Sequence, residues 1–323
     1  MAILVNENTR VLIQGITGKE GSRVAREMLT YGTKVLAGVV PGKGYSKTEE
    51  GIPIFDTIAQ ARRQFPEINA SLVVVPAPFA PHAVLEALNE RIPLINILTE
   101  GIPVARVAEM LARARATGVR LIGPSSVGII SPGKCKLGSI GGGGLDRTVF
   151  TSGPVGVVSK SGGMTAEISR ILTEKGFGQS TAVGIGGDVL IGSNFLSLAH
   201  EFEKDPETEV VVIFGEIGGV YEIRFAEALA RGEIQKPVVA LIAGLFAESL
   251  PHGTPLGHAG AIVGGGNSSA SEKIHALKKA GAHVVDAPEE IPAVLELYIQ
   301  DEIENKHQRD KKRQPRHSRP YHN

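Results

Sequence analysis

The chain has 323 residues, a formal charge of zero, 42% hydrophobic and 21% charged residues, no tryptophan and one cysteine. This length suits about two domains, and no apolar run approaches the ~20 residues of a membrane-spanning helix. Residues 1–8 lack a basic stretch followed by an apolar core, and Cys135 has no second cysteine to pair with, so the expectation is a cytoplasmic protein without signal peptide or intrachain disulfide.

The balanced charge is unevenly placed. Residues 306–323 carry Lys306, Arg309, Lys311, Lys312, Arg313, Arg316 and Arg319 against Asp310 alone, which leaves the rest of the chain net acidic. This stretch is polar and without periodicity, and reads as a basic disordered tail. Neither a nucleic acid nor a membrane is an expected partner.

In chain order, residues 11–14 form a short buried strand. It runs into Gly15-Ile16-Thr17-Gly18-Lys19-Glu20-Gly21 and an amphipathic helix to about Tyr31. Glycines three apart at a strand-to-helix turn direct backbone N–H groups and a helix N-terminus toward an anion. The second strand, 34–40, ends in Pro41-Gly42-Lys43-Gly44. A dinucleotide-binding dehydrogenase usually has an acid at this strand end to hold the ribose hydroxyls. Lys43 there favours a phosphorylated ligand such as the 3′-phosphate of coenzyme A. Strands at 71–75, 94–98 and 120–122 alternate with helices at 81–90 and from about 104 to 117, so a parallel sheet with helices on both faces is predicted. Ligands bind beyond the C-terminal strand ends of such sheets, where 15–21, 41–44, 76–79 and 99–103 all lie.

Residues 123–144 are rich in Gly, Pro and Ser and read as a connector. The domain boundary is placed inside it, giving domains 1–125 and 126–305. Strands at 155–159, 181–185, 209–214, 237–243 and 283–286 build a second doubly wound domain, with a closing helix to about Asn305. The turn at Lys160-Ser161-Gly162-Gly163-Met164 opens a helix that Ser161 can cap. The strand ends gather Ser161, Asp188, Glu216 and His258. His258 lies in Leu256-Gly257-His258-Ala259-Gly260-Ala261, small residues that let a charged group approach the ring. Near neutral pH an imidazole is partly unprotonated and nucleophilic, which suits a histidine that is itself phosphorylated. Glu216, between glycines, is the carboxylate suited to orient that ring and fix its tautomer.

The motifs Gln14-Gly15-Ile16-Thr17-Gly18, Pro41-Gly42-Lys43-Gly44, Val75-Pro76-Ala77-Pro78-Phe79, Thr99-Glu100-Gly101-Ile102-Pro103, Gly184-Ile185-Gly186-Gly187-Asp188, Gly215-Glu216-Ile217-Gly218-Gly219 and Gly257-His258-Ala259-Gly260-Ala261 occur in this order. Over about residues 3–300 the chain thereby resembles the alpha subunits of succinate–CoA ligase. The resemblance implies a Rossmann-like CoA-binding domain followed by a flavodoxin-like phosphohistidine domain. It implies a partner, an ATP-grasp beta subunit that binds ATP or GTP with Mg, in a heterodimer or heterotetramer. The nucleotide's phosphoryl group passes to His258, then to succinate or another small acid, and the CoA thiol displaces it. The family's CoA contacts match Thr17, Gly18, Lys19, Glu20, Lys43, Leu98, Thr99 and Glu100. Its glutamate beside the phosphohistidine matches Glu216, and its phosphate-holding helix start matches Ser161, Gly162 and Gly163.

The acid side departs from the family pattern. Succinate-specific members usually have Gly-Pro-Asn-Cys-Pro-Gly where this chain has Gly123-Pro124-Ser125-Ser126-Val127-Gly128, and a tyrosine at Ala166. Ser161-Gly162-Gly163-Met164 and the insert Gly138-Ser139-Ile140-Gly141-Gly142 look more like the ATP-citrate lyase and citryl-CoA synthetase branch. Citrate, malate or a sulfonated acid therefore rival succinate, and Ser125, Ser126 and Ala166 are the substrate-side candidates. A non-catalytic CoA- or nucleotide-binding regulator is the alternative of another class, but would not need Ser161, Glu216 and His258 together.

Overall fold

The computed structural model describes residues 2–143 and 146–298. The stretch 306–323 read as a basic tail and residues 299–305 of the expected closing helix lie outside the described residues. The first sheet contains β1 (Arg10–Gln14), β2 (Lys34–Val39), β3 (Ile54–Phe55), β4 (Ala70–Val73), β5 (Leu94–Ile97) and β6 (Arg120–Ile122). It is wholly parallel, in the order β3-β2-β1-β4-β5-β6. Helices α1 (Lys19–Tyr31), α2 (Ile58–Gln64), α3 (Ala80–Asn89) and α4 (Val104–Thr117) connect the strands. Strands β4 and β5 are buried along their whole length, as strands covered on both faces must be. The strand order is that of the Rossmann fold, and it reverses between β1 and β4, where a crevice opens. The short β3 and α2 add to the elements expected from the sequence. Thr57 caps α2 by accepting the backbone N–H of Gln60 at 3.2 Å.

The second sheet contains β7 (Gly128–Ser131), β8 (Cys135–Gly138), β9 (Ser152–Ser159), β10 (Gln179–Gly184), β11 (Val210–Glu216), β12 (Val238–Ala243) and, after a two-stranded ribbon of β13 (Pro255–Leu256) and β14 (His258–Ile262), β15 (His283–Val285). Its order is β15-β12-β11-β9-β10-β7-β8. The five parallel strands follow flavodoxin order, reversing between β9 and β11. The remaining helices are α5 (Asp146–Val149), α6 (Gly162–Glu174), α7 (Phe195–Lys204), α8 (Tyr221–Ala230) and α9 (Ala270–Lys279). Among the described residues, no helix is long and apolar enough to cross a membrane.

The reading of 123–144 as a connector is corrected here. Strands β7 and β8 form an antiparallel hairpin that extends the second sheet beyond β10. A lysine mid-strand hides this hairpin from any apolar pattern. Lys136 is wholly buried because its ammonium reaches the Gly142 carbonyl at 3.0 Å and lies 3.7 Å from Glu27. The hairpin also joins the two sheets: Thr33 donates to the Lys136 carbonyl at 2.7 Å, and the Gly133 N–H donates to the Tyr31 hydroxyl at 3.0 Å.

Candidate active site

A groove opens at the strand reversal of the first sheet. Gly15 takes φ +89°, a left-handed conformation, and a Cβ on Gly21 would overlap the Gly15 carbonyl oxygen. Glycine at both positions lets α1 start directly against the end of β1. Gly18 is the N-cap and supplies no side-chain acceptor. The first-turn N–H groups of α1 therefore have no partner within the helix, an arrangement that suits an anion. Two cavities of about 560 and 600 Å³ meet here and share Gly18, Val74, Val75 and Pro76. The first is walled by Val39, Val40, Pro41 and Phe79 and by Thr17. At its edge the Lys43 ammonium donates to the Thr17 hydroxyl at 3.1 Å. The second cavity is lined by Lys19, Glu20, Leu98, Thr99 and Glu100 and ends at Ser125. An apolar slot, a lysine beside its mouth and an uncapped helix start suit a ligand with a flat base and phosphates, as coenzyme A has.

The groove leads toward the second strand reversal. The Ser125 hydroxyl donates to Asp188 Oδ2 at 3.1 Å, across the two domains. Asp188 follows β10 in the turn that meets His258: Gly260 N–H donates to the Gly187 carbonyl at 2.8 Å. A Cβ on Gly187 would lie 2.5 Å from the imidazole Cγ, so only glycine admits the ring. His258 begins β14 of a ribbon held over the strand ends.

Glu216 closes β11 and is 7% exposed. Its Oε2 lies 2.7 Å from His258 Nδ1. The ionised carboxylate only accepts, so Nδ1 carries the proton and the lone pair falls on Nε2. The Glu216 hydrogen bond raises the pKa of His258, opposed by partial burial and by Lys160, and helped by the charges of Glu216 and Asp188. Burial likewise pushes Asp188 up, against the pull of the Ser125 hydroxyl.

Ser161 caps α6, its hydroxyl accepting Met164 N–H at 3.3 Å. The N–H groups of Gly162 and Gly163, ahead of it, have no partner within the helix. A Cβ on Gly162 would overlap the Val127 side chain, which accounts for that glycine by packing. Ser126 is 1% exposed, and its hydroxyl is turned inward between the Gly184 carbonyl, 2.6 Å away, and Asn96. It ties β5 to β10 and offers no hydroxyl to a substrate, unlike Ser125. Ala166, on the first turns of α6, lines neither cavity of the groove. Three buried charged residues of the site carry no signal in the sequence: Lys160, which acts on the His258 ring, and Glu222 and Lys273, which hold the main chain of Glu216. Isolated charges in a turn (Lys160) or on helices (Glu222, Lys273) read as solvated ones, and no local pattern marks them.

Residues 6–101 match the model of the CoA binding domain and residues 158–283 that of CoA-ligase. The chain is 48% identical over 295 residues to succinate–CoA ligase (ADP-forming) subunit alpha 2 of Archaeoglobus fulgidus, covering 91% of this chain and 99% of that one. It is 47% identical over 294 residues to the alpha subunit of the same enzyme of Aquifex aeolicus, covering 90% and 92%. Among solved structures it is similar to ATP citrate lyase from Methanothrix soehngenii in complex with citrate and coenzyme A. That match has a TM-score of 0.86 at 27% identity and covers 99% of this chain but only 53% of that longer one. On these likenesses, and on the paired sheets and groove described above, the chain belongs to the succinate–CoA ligase alpha subunits, a family of CoA ligases.

Proposed function

We propose that this chain is the alpha subunit of a nucleoside-diphosphate-forming acid–CoA ligase in which His258 Nε2 relays the phosphoryl group. The observation that carries the reading is the 2.7 Å contact between His258 Nδ1 and buried Glu216, which leaves Nε2 as the nucleophile. In the first step Nε2 takes the terminal phosphoryl group of a nucleoside triphosphate, releasing the diphosphate. ATP or GTP, with Mg, is bound mainly by an ATP-grasp beta subunit. In the second step the phosphoryl group moves from Nε2 to the carboxylate of the acid, and the imidazole is restored. In the third the CoA thiolate attacks the acyl carbon, forming the thioester and expelling phosphate. The N–H groups of Gly162 and Gly163 face the phosphoryl group, and the groove from Lys43 to Ser125 holds CoA.

The test is phosphoryl labelling of the alpha–beta complex with nucleoside triphosphate, or with acyl-CoA and phosphate. One acid-labile, base-stable label is expected on wild type and none on His258→Ala, with CoA affinity unchanged. Label persisting on that variant would sink the relay.

Succinate is the proposed acid, because the relatives at 47–48% identity are succinate–CoA ligases. A second reading, citrate or a related bulky acid, draws on the likeness to a lyase bound to citrate and on Ala166 in place of tyrosine. Comparing kcat/KM for succinate, malate, citrate and sulfonated acids separates them. A tenfold preference for succinate, about 1.4 kcal/mol, leaves the second reading without support. Ala166→Tyr shifts preference toward succinate if the second reading holds.

A further inference from the structure

Behind the His258–Glu216 pair lies a buried cluster of two ammonium groups and a carboxylate. Lys273, on α9, is wholly buried, and its three N–H bonds go to the Glu216 carbonyl at 2.7 Å, the Gly218 carbonyl at 2.5 Å and Glu222 Oε2 at 2.7 Å. Glu222, also wholly buried, accepts the backbone N–H of Glu216 at 3.3 Å and lies 3.0 Å from the Lys160 ammonium. The main chain of Glu216 is therefore held on both sides by charged groups. Its carboxylate is not: among the described residues, Oε2 meets only the imidazole, and Oε1 is buried without a partner. What aims the carboxylate is thus its backbone. The next turn is tied in the same way, since Gly218 is left-handed and a Cβ there would overlap the Gly260 carbonyl oxygen, on the His258 strand.

We propose that Lys273 is a positioning residue for the phosphoryl relay: by clamping the carbonyls of Glu216 and Gly218 it holds the Glu216 carboxylate on His258 Nδ1 and so keeps the lone pair on Nε2. Glu222 is the counter-anion that permits a buried ammonium. The two carbonyls satisfy the ammonium's remaining N–H bonds, and because they belong to Glu216 and Gly218 the same bonds fix the backbone that carries the carboxylate. Breaking one partner of a buried ion pair is strongly destabilising, whereas neutralising both ends is tolerated. The consequence for catalysis rests on His258 as phosphoryl acceptor; the tautomer does not.

The experiment uses the complete alpha–beta complex with ring-¹⁵N histidine, assigning the His258 signals by difference from His258→Asn. In wild type Nδ1 is protonated, Nε2 is not, and the titration midpoint lies above the ordinary imidazole value. The double variant Lys273→Met/Glu222→Gln removes one positive and one negative charge and leaves Glu216, Lys160 and Asp188 in place around the ring; because it also takes the Glu222 partner from Lys160, the tautomer rather than the midpoint is its deciding readout. Its midpoint is expected to fall by about one unit, its tautomers to mix, and His258 labelling to slow by about tenfold or more, with CoA affinity unchanged. Lys273→Arg keeps the charge, but its planar fork cannot serve three acceptors around one nitrogen; an intermediate midpoint is expected. A folded double variant with the wild-type tautomer overturns the proposal. If the double variant does not fold, an unmoved midpoint in Lys273→Arg overturns it instead. Wild-type His258 that shows the stated tautomer yet never takes label refutes the relay and leaves the positioning role standing.

Discussion

At the scale of single residues, the Glu216–His258 contact sets a pH dependence with a definite sign. The Glu216 hydrogen bond raises the His258 pKa above the ordinary ~6.5. Only neutral imidazole accepts a phosphoryl group, so labelling is expected to rise with pH through a midpoint above that value. Glu216→Gln removes the charge and brings the midpoint down toward it. Labelling on the high-pH plateau is also slower in this variant, because an amide can offer N–H to Nδ1 and move the proton to Nε2. The stability contribution has the opposite direction. A raised folded pKa adds stability that is fully present below about pH 6.5 and is lost as pH rises through the folded value. The pair thus stabilises the fold most where the proposed relay is slowest. Lys43 tests the other end of the groove. It is exposed and bonded to Thr17, so Lys43→Ala is expected to cost CoA binding about 1–2 kcal/mol, read by calorimetry, and to leave the rate of His258 labelling from nucleotide unchanged.

At the scale of elements, α1 is the piece whose placement decides the groove. Its N-terminal turn and the β1 turn touch through Gly21 and Gly15, with no room for a methyl group. Gly21→Ala is expected to push α1 away from β1, costing about 1–3 kcal/mol of stability as an overpacked contact does and weakening CoA binding. Gly32, at the other end of α1, is left-handed, and a methyl group there would meet nothing within 4 Å. Gly32→Ala therefore costs only backbone strain, about 1 kcal/mol, and leaves CoA binding alone. Thermal unfolding and CoA titration of the two variants separate groove geometry from helix stability. Equal loss of CoA affinity in both would refute the assignment.

At the scale of the molecule, both strand reversals point at one region. The groove of the first sheet ends at Ser125, Ser125 binds Asp188, and Asp188 lies beside the His258 ribbon of the second sheet. A long ligand lying in the groove is thereby directed at the imidazole. The same rim exposes apolar side chains after three strand ends: Val189 after β10, Val220 after β11, and Leu245 and Phe246 after β12. Phe246 is 77% exposed. Exposed apolar side chains on one rim suit a surface that another chain covers, and the proposed beta subunit must reach His258 from this side. Phe246→Asp is expected to weaken assembly with the beta subunit by tenfold or about 1.4 kcal/mol, read by sedimentation, while CoA binding to the alpha chain is unchanged. Assembly at wild-type strength would move the beta contact elsewhere.

The order of strands and helices, the turns at 15–21, 41–44, 99–103 and 160–164, and the pairing of a glycine-flanked Glu216 with His258 were legible in the residues alone. Strand runs, cap residues and glycine turns are local, and each is written within a few positions of where it acts. The β7–β8 hairpin was not legible, because buried Lys136 is stabilised by Gly142 and Glu27 rather than by its own pattern. Ser125 and Ser126 stand side by side, yet one bridges the domains through Asp188, 63 positions away, and the other is sealed between β5 and β10. Lys273 reads as a surface residue of a charged helix and becomes the anchor of Glu216, 57 positions earlier. A buried ammonium is tolerated only where carbonyls and a carboxylate converge on it; here they come from the end of β11 and the start of α8, and Lys273 reaches them only once α9 has packed against the second sheet.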